Sequence, residues 1–441
     1  MPKLALVALL AALLGACAAP RAGSGIDQVL LIENVTVVDV VAGGHRADRA
    51  ILIRGGRIVE IGARIRVPRG ARRIDGTGKF AIPGLWDMHA HHQTAGESSL
   101  PLHLANGVTG TRDMGGDAAF IFPLRERIRS GALHGPEIVA AGPILDAAPA
   151  EWPLRRRVAD AAEARIAVRE LAAAGADFIK VHDHTPRDAY FAIAEETRLL
   201  GIPFAGHVPA AVTADEAVTA GQASIEHLNN FQLYLQCSGG PTYDGDACAP
   251  FFRRLAAARI RQTPTLAFMR SLPDIFERGP IPHAEYASEE LRRFGRANEE
   301  ASNLPPEAIA WLRAQGAAAL LAVRDMKGAG VPFLAGCDAM VPGFCLHDEL
   351  EWLTRAGFSP LEALQAATIE PARFLHREAT DGSIAPSRTA DIVLLDADPL
   401  AAIANTRRIH AVIVRGRLLD RAALDAMLAR ARRPDPPGGA P

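Results

Sequence analysis

At 441 residues the chain exceeds one average domain, and an α/β barrel with a smaller companion would account for the length. Hydrophobic residues at 49% and charged residues at 22% are ordinary for a globular protein that buries a large core. A formal net charge of -2 leaves no electrostatic footprint for nucleic acid, so small-molecule chemistry is expected instead.

The N-terminus reads as a targeting segment. Lys3 precedes an apolar run over residues 4–14, too short to span a bilayer and about as long as the core of a signal peptide. The run ends in Leu14, Gly15, Ala16 and Cys17, which resembles the bacterial lipobox, so residues 1–17 are expected to be a lipoprotein-type signal and Cys17 a candidate lipid anchor. Plain cleavage after a small residue is the alternative. Either way export is expected, periplasmic or membrane-anchored, with residues 18–28 as a tether. Of the other cysteines, Cys237 and Cys248 flank SGGPTYDGDA and are expected to form a local disulfide, while Cys337, in an apolar run, reads as a buried small hydrophobe.

From residue 29 the pattern changes to short β-branched runs, VLLIENVTVVDV, AILIRGGRIVEIG and ARRIDGTGKF, punctuated by Gly, Asp and Asn. ADIVLLDAD and IHAVIVRGRLL, near the other end, have the same character. One β-sandwich built from residues 29–82 and 373–420 is expected, with residues 421–441 as a tail. The middle, residues 83–372, alternates strand-like and helix-like segments. Eight candidate strands are AIPGLWDMHA, GVTGTRDM, EIVAAGPIL, DFIKVHD, PFAGHV, ASIEHL, IRQTPTL and VPFLAGCD. Eight such units predict a distorted (β/α)8 TIM barrel, whose chemistry lies at the C-terminal ends of its strands.

The polar residues that interrupt these apolar strands fall at those ends. His89 and His91 lie one pleat apart and face the same way if their segment is a strand. Lys180 is late in the fourth strand, His207 closes the fifth, His227 the sixth and Asp338 the eighth. Each alone has a bland explanation: a lysine can snorkel, a histidine can sit satisfied in a core, an aspartate can cap a helix. Their coincidence at one end of five strands does not. Four histidines and an aspartate suit zinc or a similar divalent ion. A lysine aimed at cations makes sense if carbon dioxide converts it to a carbamate, an anion able to bridge two metals.

The segments PGLWDMHAHH, GVTGTRDMGG, DFIKV, GHV, IEHL and AGCDA, followed by ATIEPARFL and TADIVLLDADPL, resemble the metal-dependent amidohydrolase superfamily, closest to its imidazolonepropionase-like and Xaa-Pro dipeptidase-like branch. The likeness covers residues 29–418. It implies two divalent metals, usually zinc. His89, His91 and Asp338 would hold the buried one and His207 and His227 the exposed one, with carboxylated Lys180 bridging both. Metal-bridging hydroxide would be the nucleophile, with Asp338 as general base and then acid.

Other polar residues are weaker candidates. His182, two beyond Lys180, is a candidate for meeting the substrate carbonyl or carboxylate. Residues 229–302 exceed what a barrel loop needs and suggest a lid, from which Tyr234, Tyr243 and Arg253 are candidates for gripping substrate. His92 reads as supporting or structural, and Arg112 and Asp113 as a structural ion pair. Two departures from the dipeptidase-like pattern bear on the leaving group: AGPILDAAPAEWPL after the third strand, and IEHLNN where many relatives carry Gly after the His.

The resulting expectation is an enzyme that hydrolyses an amide-type C–N bond in a dipeptide or N-acyl amino acid. A lactonase or other cyclic ester or amide hydrolase is the alternative, a non-catalytic metal-containing surface binding protein the alternative of another class, and a single-metal deaminase is disfavoured by Lys180. A homo-oligomer is compatible with everything above.

Overall fold

The computed structural model describes residues 29–147, 154–278, 281–289, 291–292, 304–338 and 340–432. The expected signal, tether and lipid anchor at Cys17 lie outside the described residues. Among those described, no helix is long and apolar enough to cross a membrane.

Both ends of the chain share one sheet. Strand β1 (Leu30–Val38) pairs antiparallel with β2 (His45–Arg54), which pairs with β3 (Arg57–Gly62); β4 (Arg72–Asp75) and β5 (Phe80–Pro83) run parallel to β1. The alternation in LLIENVTVV turns Leu30, Ile32, Val35 and Val37 into a common core with Ile51, Ile53, Ile392, Leu394 and Ile413, the odd spacing being absorbed at a bulge where Asn34 takes a positive φ.

Pro83 hands the chain to the barrel. Parallel strands β6 (Leu85–Ala90), β7 (Val108–Asp113) and β8 (Glu137–Ala140) form one arc; β9 (Ile144–Asp146), β10 (Arg155–Arg157), β11 (Ile179–Val181), β12 (Phe204–Gly206), β13 (Ser224–Glu226) and β14 (Arg261–Thr263) form the other. The third expected strand is therefore split into β8 and β9 around Gly142. The arcs meet there through Asp177, whose backbone N–H donates to Ala140 O at 2.9 Å. The eighth expected strand makes only an isolated bridge, Phe333 to Gln262. It nevertheless closes the ring: Leu334 N–H donates to Gln262 O and Met88 N–H to Ala335 O, both at 2.9 Å.

Helices follow the strands, and several begin at side-chain caps. Asp160 accepts from the N–H groups of Ala162 and Glu163 ahead of the helix Ala161–Ala173, and Thr213 forms a reciprocal capping box with Glu216. After the barrel the chain returns to the sheet as β15 (Ile392–Leu395), antiparallel to β5, then β16 (Ile409–Val414) and β17 (Arg417–Leu419).

Three expectations need correction. The tail begins as a helix, Arg421–Ala431, capped by Asp420 and anchored by the buried Leu424; residues 433–441 lie outside the described residues. Most of the described part of residues 229–302 is barrel rather than lid, since it holds the helices Gln232–Ser238, Gly245–Ala257 and Leu266–Arg278 as well as β14. Cys337 is not free: it is bridged to Cys345, and Cys237 to Cys248 as expected.

Candidate metal centre

Six side chains converge at the C-terminal mouth of the barrel. His89 stands inside β6 and His91 just beyond it, on the same face because they are two residues apart. Lys180 is the middle residue of β11, and His207 and His227 directly follow β12 and β13. Asp338 follows the closing segment in a left-handed conformation, φ 64°, its N–H donating to His89 O at 2.7 Å. Two glycines make this crowding feasible. A Cβ on Gly206 would lie 2.2 Å from Val181 O and one on Gly336 2.8 Å from His89 Cβ, so only glycine lets β12 approach β11 and the closing segment approach β6.

The carboxylate of Asp338 is the hub. Its oxygens lie 3.4 Å from His91 Nε2, 3.6 Å from His89 Nε2 and 3.7 Å from His227 Nε2. The His89 and His227 rings are 4.4 Å apart and the His207 and His227 rings 5.1 Å. The opposite nitrogen of every one of these histidines is already engaged. Nδ1 of His89 meets Glu226 at 2.9 Å, that of His91 Gly115 O at 3.1 Å, that of His207 Asp183 at 2.7 Å, and that of His227 Thr265 Oγ1 at 2.7 Å. With Nδ1 donating, Nε2 is left as a lone pair facing the common centre, the arrangement that histidine ligands of metals adopt. The donor set therefore fits divalent cations.

Electrostatics agree. Burial, aided by Lys180, pushes His89 and His207 down to about 4, so both are neutral ligands at pH 7. Burial drives Asp338 upward, but His227, His89 and His91 outweigh it and keep the carboxyl ionised. Burial lowers Lys180 to about 8 against the pull of Glu226 and Asp338, so a free-amine fraction exists near neutral pH.

Three supporting groups escaped the sequence reading: Glu226, Asp183 and Thr265. Glu226 is fully buried and accepts from Arg112 Nη2 at 2.9 Å and Ser224 Oγ at 2.5 Å besides meeting His89. Arg112 is thus part of an ion pair, but with Glu226 rather than Asp113; Asp113 instead accepts from His92 N–H and Gly115 N–H. A glutamate beside a histidine at a strand end was the available signal.

Of the weaker candidates, His182 lies at the mouth, stacked on His207 at 4.1 Å with Nδ1 3.5 Å from Asp146. Tyr234 does not face the centre and is corrected: it is fully buried, and its hydroxyl donates to Gln315 O at 2.9 Å. Tyr243 likewise donates to Asp325, and Arg253 sits exposed on an outer helix. His92 is buried, bonded to Thr111 and packed on His103.

Comparison with known proteins extends this picture. Residues 80–419 match the model of the Amidohydrolase family. The crystal structure of a putative prolidase from Bifidobacterium longum superposes with a TM-score of 0.72 at 24% identity, covering 92% of this chain and 99% of that one, a likeness of fold. A dihydroorotase of Anaeromyxobacter dehalogenans is 37% identical over 71 residues, 16% of each chain. An imidazolonepropionase of Mycolicibacterium smegmatis is 36% identical over 69 residues, 16% of this chain and 17% of its own. The chain thus matches under a fifth of the length of these two curated relatives.

Proposed function

The chain belongs to the amidohydrolase family, and from that premise we propose that it is a binuclear metal-dependent hydrolase of amide-type C–N bonds, acting on dipeptides or N-acyl amino acids. The observation that supports it is the set of four buried imidazoles each fixed through Nδ1, three of them with Nε2 within 3.7 Å of Asp338 and the fourth, His207, with its ring 5.1 Å from that of His227. In this reading His89, His91 and Asp338 would hold one ion and His207 and His227 the other, with Lys180 as a carbamate available to both; zinc suits the donors. The free amine attacks carbon dioxide, an N–C bond forms as one C=O π pair moves to oxygen, and the nitrogen's proton leaves to solvent.

Bound cations would supply a polarised substrate carbonyl and an acidified water. The chain's residues do the rest. Asp338, its side chain 14% exposed at the mouth, takes the proton of the attacking water and returns it to the leaving nitrogen. His182, 15% exposed and held against His207, is placed to donate to a substrate oxygen. Glu226 and Arg112 hold His89 in place from below. Export through residues 1–17 remains part of the proposal and would suit a scavenger of small peptides.

Metal content per chain, measured for wild type and Lys180→Ala lacking residues 1–17, tests this together with turnover on a dipeptide and N-acyl amino acid panel. Two ions in the wild type, falling to one or none in the variant with loss of turnover, are expected. One ion in both proteins would overturn the bridge, and metal-loaded protein inert on the whole panel would overturn the substrate class.

A further inference from the structure

A second polar concavity lies at the other end of the molecule. Ser130 to Gly135 lead from the helix Ala118–Arg129 into the N-terminal end of β8, and Leu104 precedes β7, so this is the base of the barrel, opposite the ligand-bearing strand ends. Against that base pack the β2–β3 turn, with Gly55, Gly56 and Arg57, and the β16–β17 turn, with Arg415. Between them is an open cavity of about 770 Å³, within the range of small-molecule sites.

Its charge is one-sided. Arg57, Arg415 and Arg417 line it, and among the described residues none of the three forms an ion pair. Arg57 donates only to Ser387 O, and Arg417 rests against the His134 ring. Arg129, also in the wall, is already balanced by Glu126 and Glu137. Asp391 accepts the Arg415 backbone N–H at 2.6 Å and feels the Arg415 charge, but forms no ion pair with the guanidinium among the described residues.

Arg415 is also held in an unusual state. Its φ is 47°, a left-handed conformation that disfavours a side chain, and its Nη2 donates to Gly135 O at 3.2 Å across the domain boundary. Its Nη1 is shielded from solvent and has no hydrogen-bond partner among the described residues. A shielded guanidinium nitrogen without an acceptor is costly, and its uncompensated charge adds to that of the exposed cations Arg57 and Arg417, which an anion in the cavity reaches. Burial, Arg417 and Arg415 together depress the His134 imidazole, an independent sign of crowded positive charge. Leu104, Val414 and Leu419 supply an apolar wall beside the cations.

We propose that this cavity binds a phosphate monoester, with the phosphate on Arg415, Arg417 and Arg57 and the organic part against the apolar wall. Planar guanidinium forks match the oxygens of phosphate, and three of them would offset its double charge. The phosphate could come from a soluble ester or from a phospholipid headgroup, and both carry the same recognised group.

Calorimetric titration of metal-loaded protein with phenyl phosphate tests the proposal, alongside sedimentation with phosphatidylcholine vesicles containing phosphatidic acid. Arg415→Gly is the informative variant, because glycine prefers the backbone conformation found there and the fold is retained; Arg417→Ser is the second. Saturable binding of either probe by the wild type, weakened about tenfold or more in both variants while dipeptide turnover is unchanged, is expected. Phenyl phosphate alone would assign a soluble ester, and vesicles alone a lipid headgroup. No saturable binding of either probe, or equal affinity in wild type and both variants, would overturn the proposal; the latter would place the phosphate at the metals.

Discussion

Three patterns of buried histidine share this barrel, and they differ in what their ring nitrogens meet. At the mouth, His89, His91, His207 and His227 each give Nδ1 to an acceptor and turn Nε2 toward one centre. A few residues away, His92 and His103 pack ring against ring at 5.2 Å, and neither nitrogen of His103 has a partner among the described residues. His347 is the third pattern, with both nitrogens committed, to Thr406 and to Asn106 O. Burial is common to all, and His92 too has one nitrogen engaged, by Thr111, and the other open. An orienting partner together with convergence of the open nitrogens on one carboxylate, rather than burial alone, separates a candidate ligand from a packing element.

That contrast can be broken at its hub first. Asp338→Asn should cut turnover by about 10³-fold, the range of a lost acid–base group, with steady-state kinetics read beside metal content. Removing an orienter should act on affinity: Glu226→Gln should weaken metal binding by about 10- to 100-fold in chelator competition, while leaving the fold recognisable by circular dichroism. The packing pair should respond to acid instead. Burial holds His103 well below its ordinary value, so the folded chain refuses a proton that the unfolded chain accepts near pH 6.5, and stability falls as pH drops below that point. His103→Leu should therefore spare about 2 kcal/mol of the loss between pH 6.5 and 5, seen as a flatter Tm profile, with metal content unchanged. Thr265→Val, which removes only the hydroxyl holding His227, should cost about tenfold in affinity for one ion. A Thr265→Val protein with unaltered affinity would show that strand geometry alone orients that ring.

Much of this arrangement is legible in the chain. The pleat puts His89 and His91 on one face without any tertiary information, and strand ends locate Lys180, His207, His227 and Asp338 once the alternation of segments is counted. What is hidden is partnership at long range. Arg112 and Glu226 are 114 residues apart in sequence, and no local pattern announces that they meet beneath His89. Tyr234 misleads because aromatic hydroxyls in a long connection look equally apt for substrate or for a neighbouring helix, and only packing on Gln315 decides. VPFLAGCD looks like a strand by hydrophobicity, but beyond the two bonds it exchanges with Gln262 its bonding to β6 is irregular, Cys337 and Asp338 both donating to His89 O, which composition does not encode. Cys337 reads as a hydrophobe because its surroundings are apolar, although a second cysteine stands eight residues on.

That second bridge ties the acid–base chemistry to the redox history of the chain. Asp338 lies inside the short covalent ring closed by Cys337 and Cys345, next to one of its sulfurs, with the ring pinned to β6 where Cys337 N–H donates to Asp87 at 3.0 Å. If Asp338 carries the proton as proposed, a reduced chain would hold it on an open segment and oxidation would turn that segment into a fixed mount. Thiol oxidation is in this sense a maturation step, and protein prepared in a reducing host should gain specific activity on air oxidation without gaining metal.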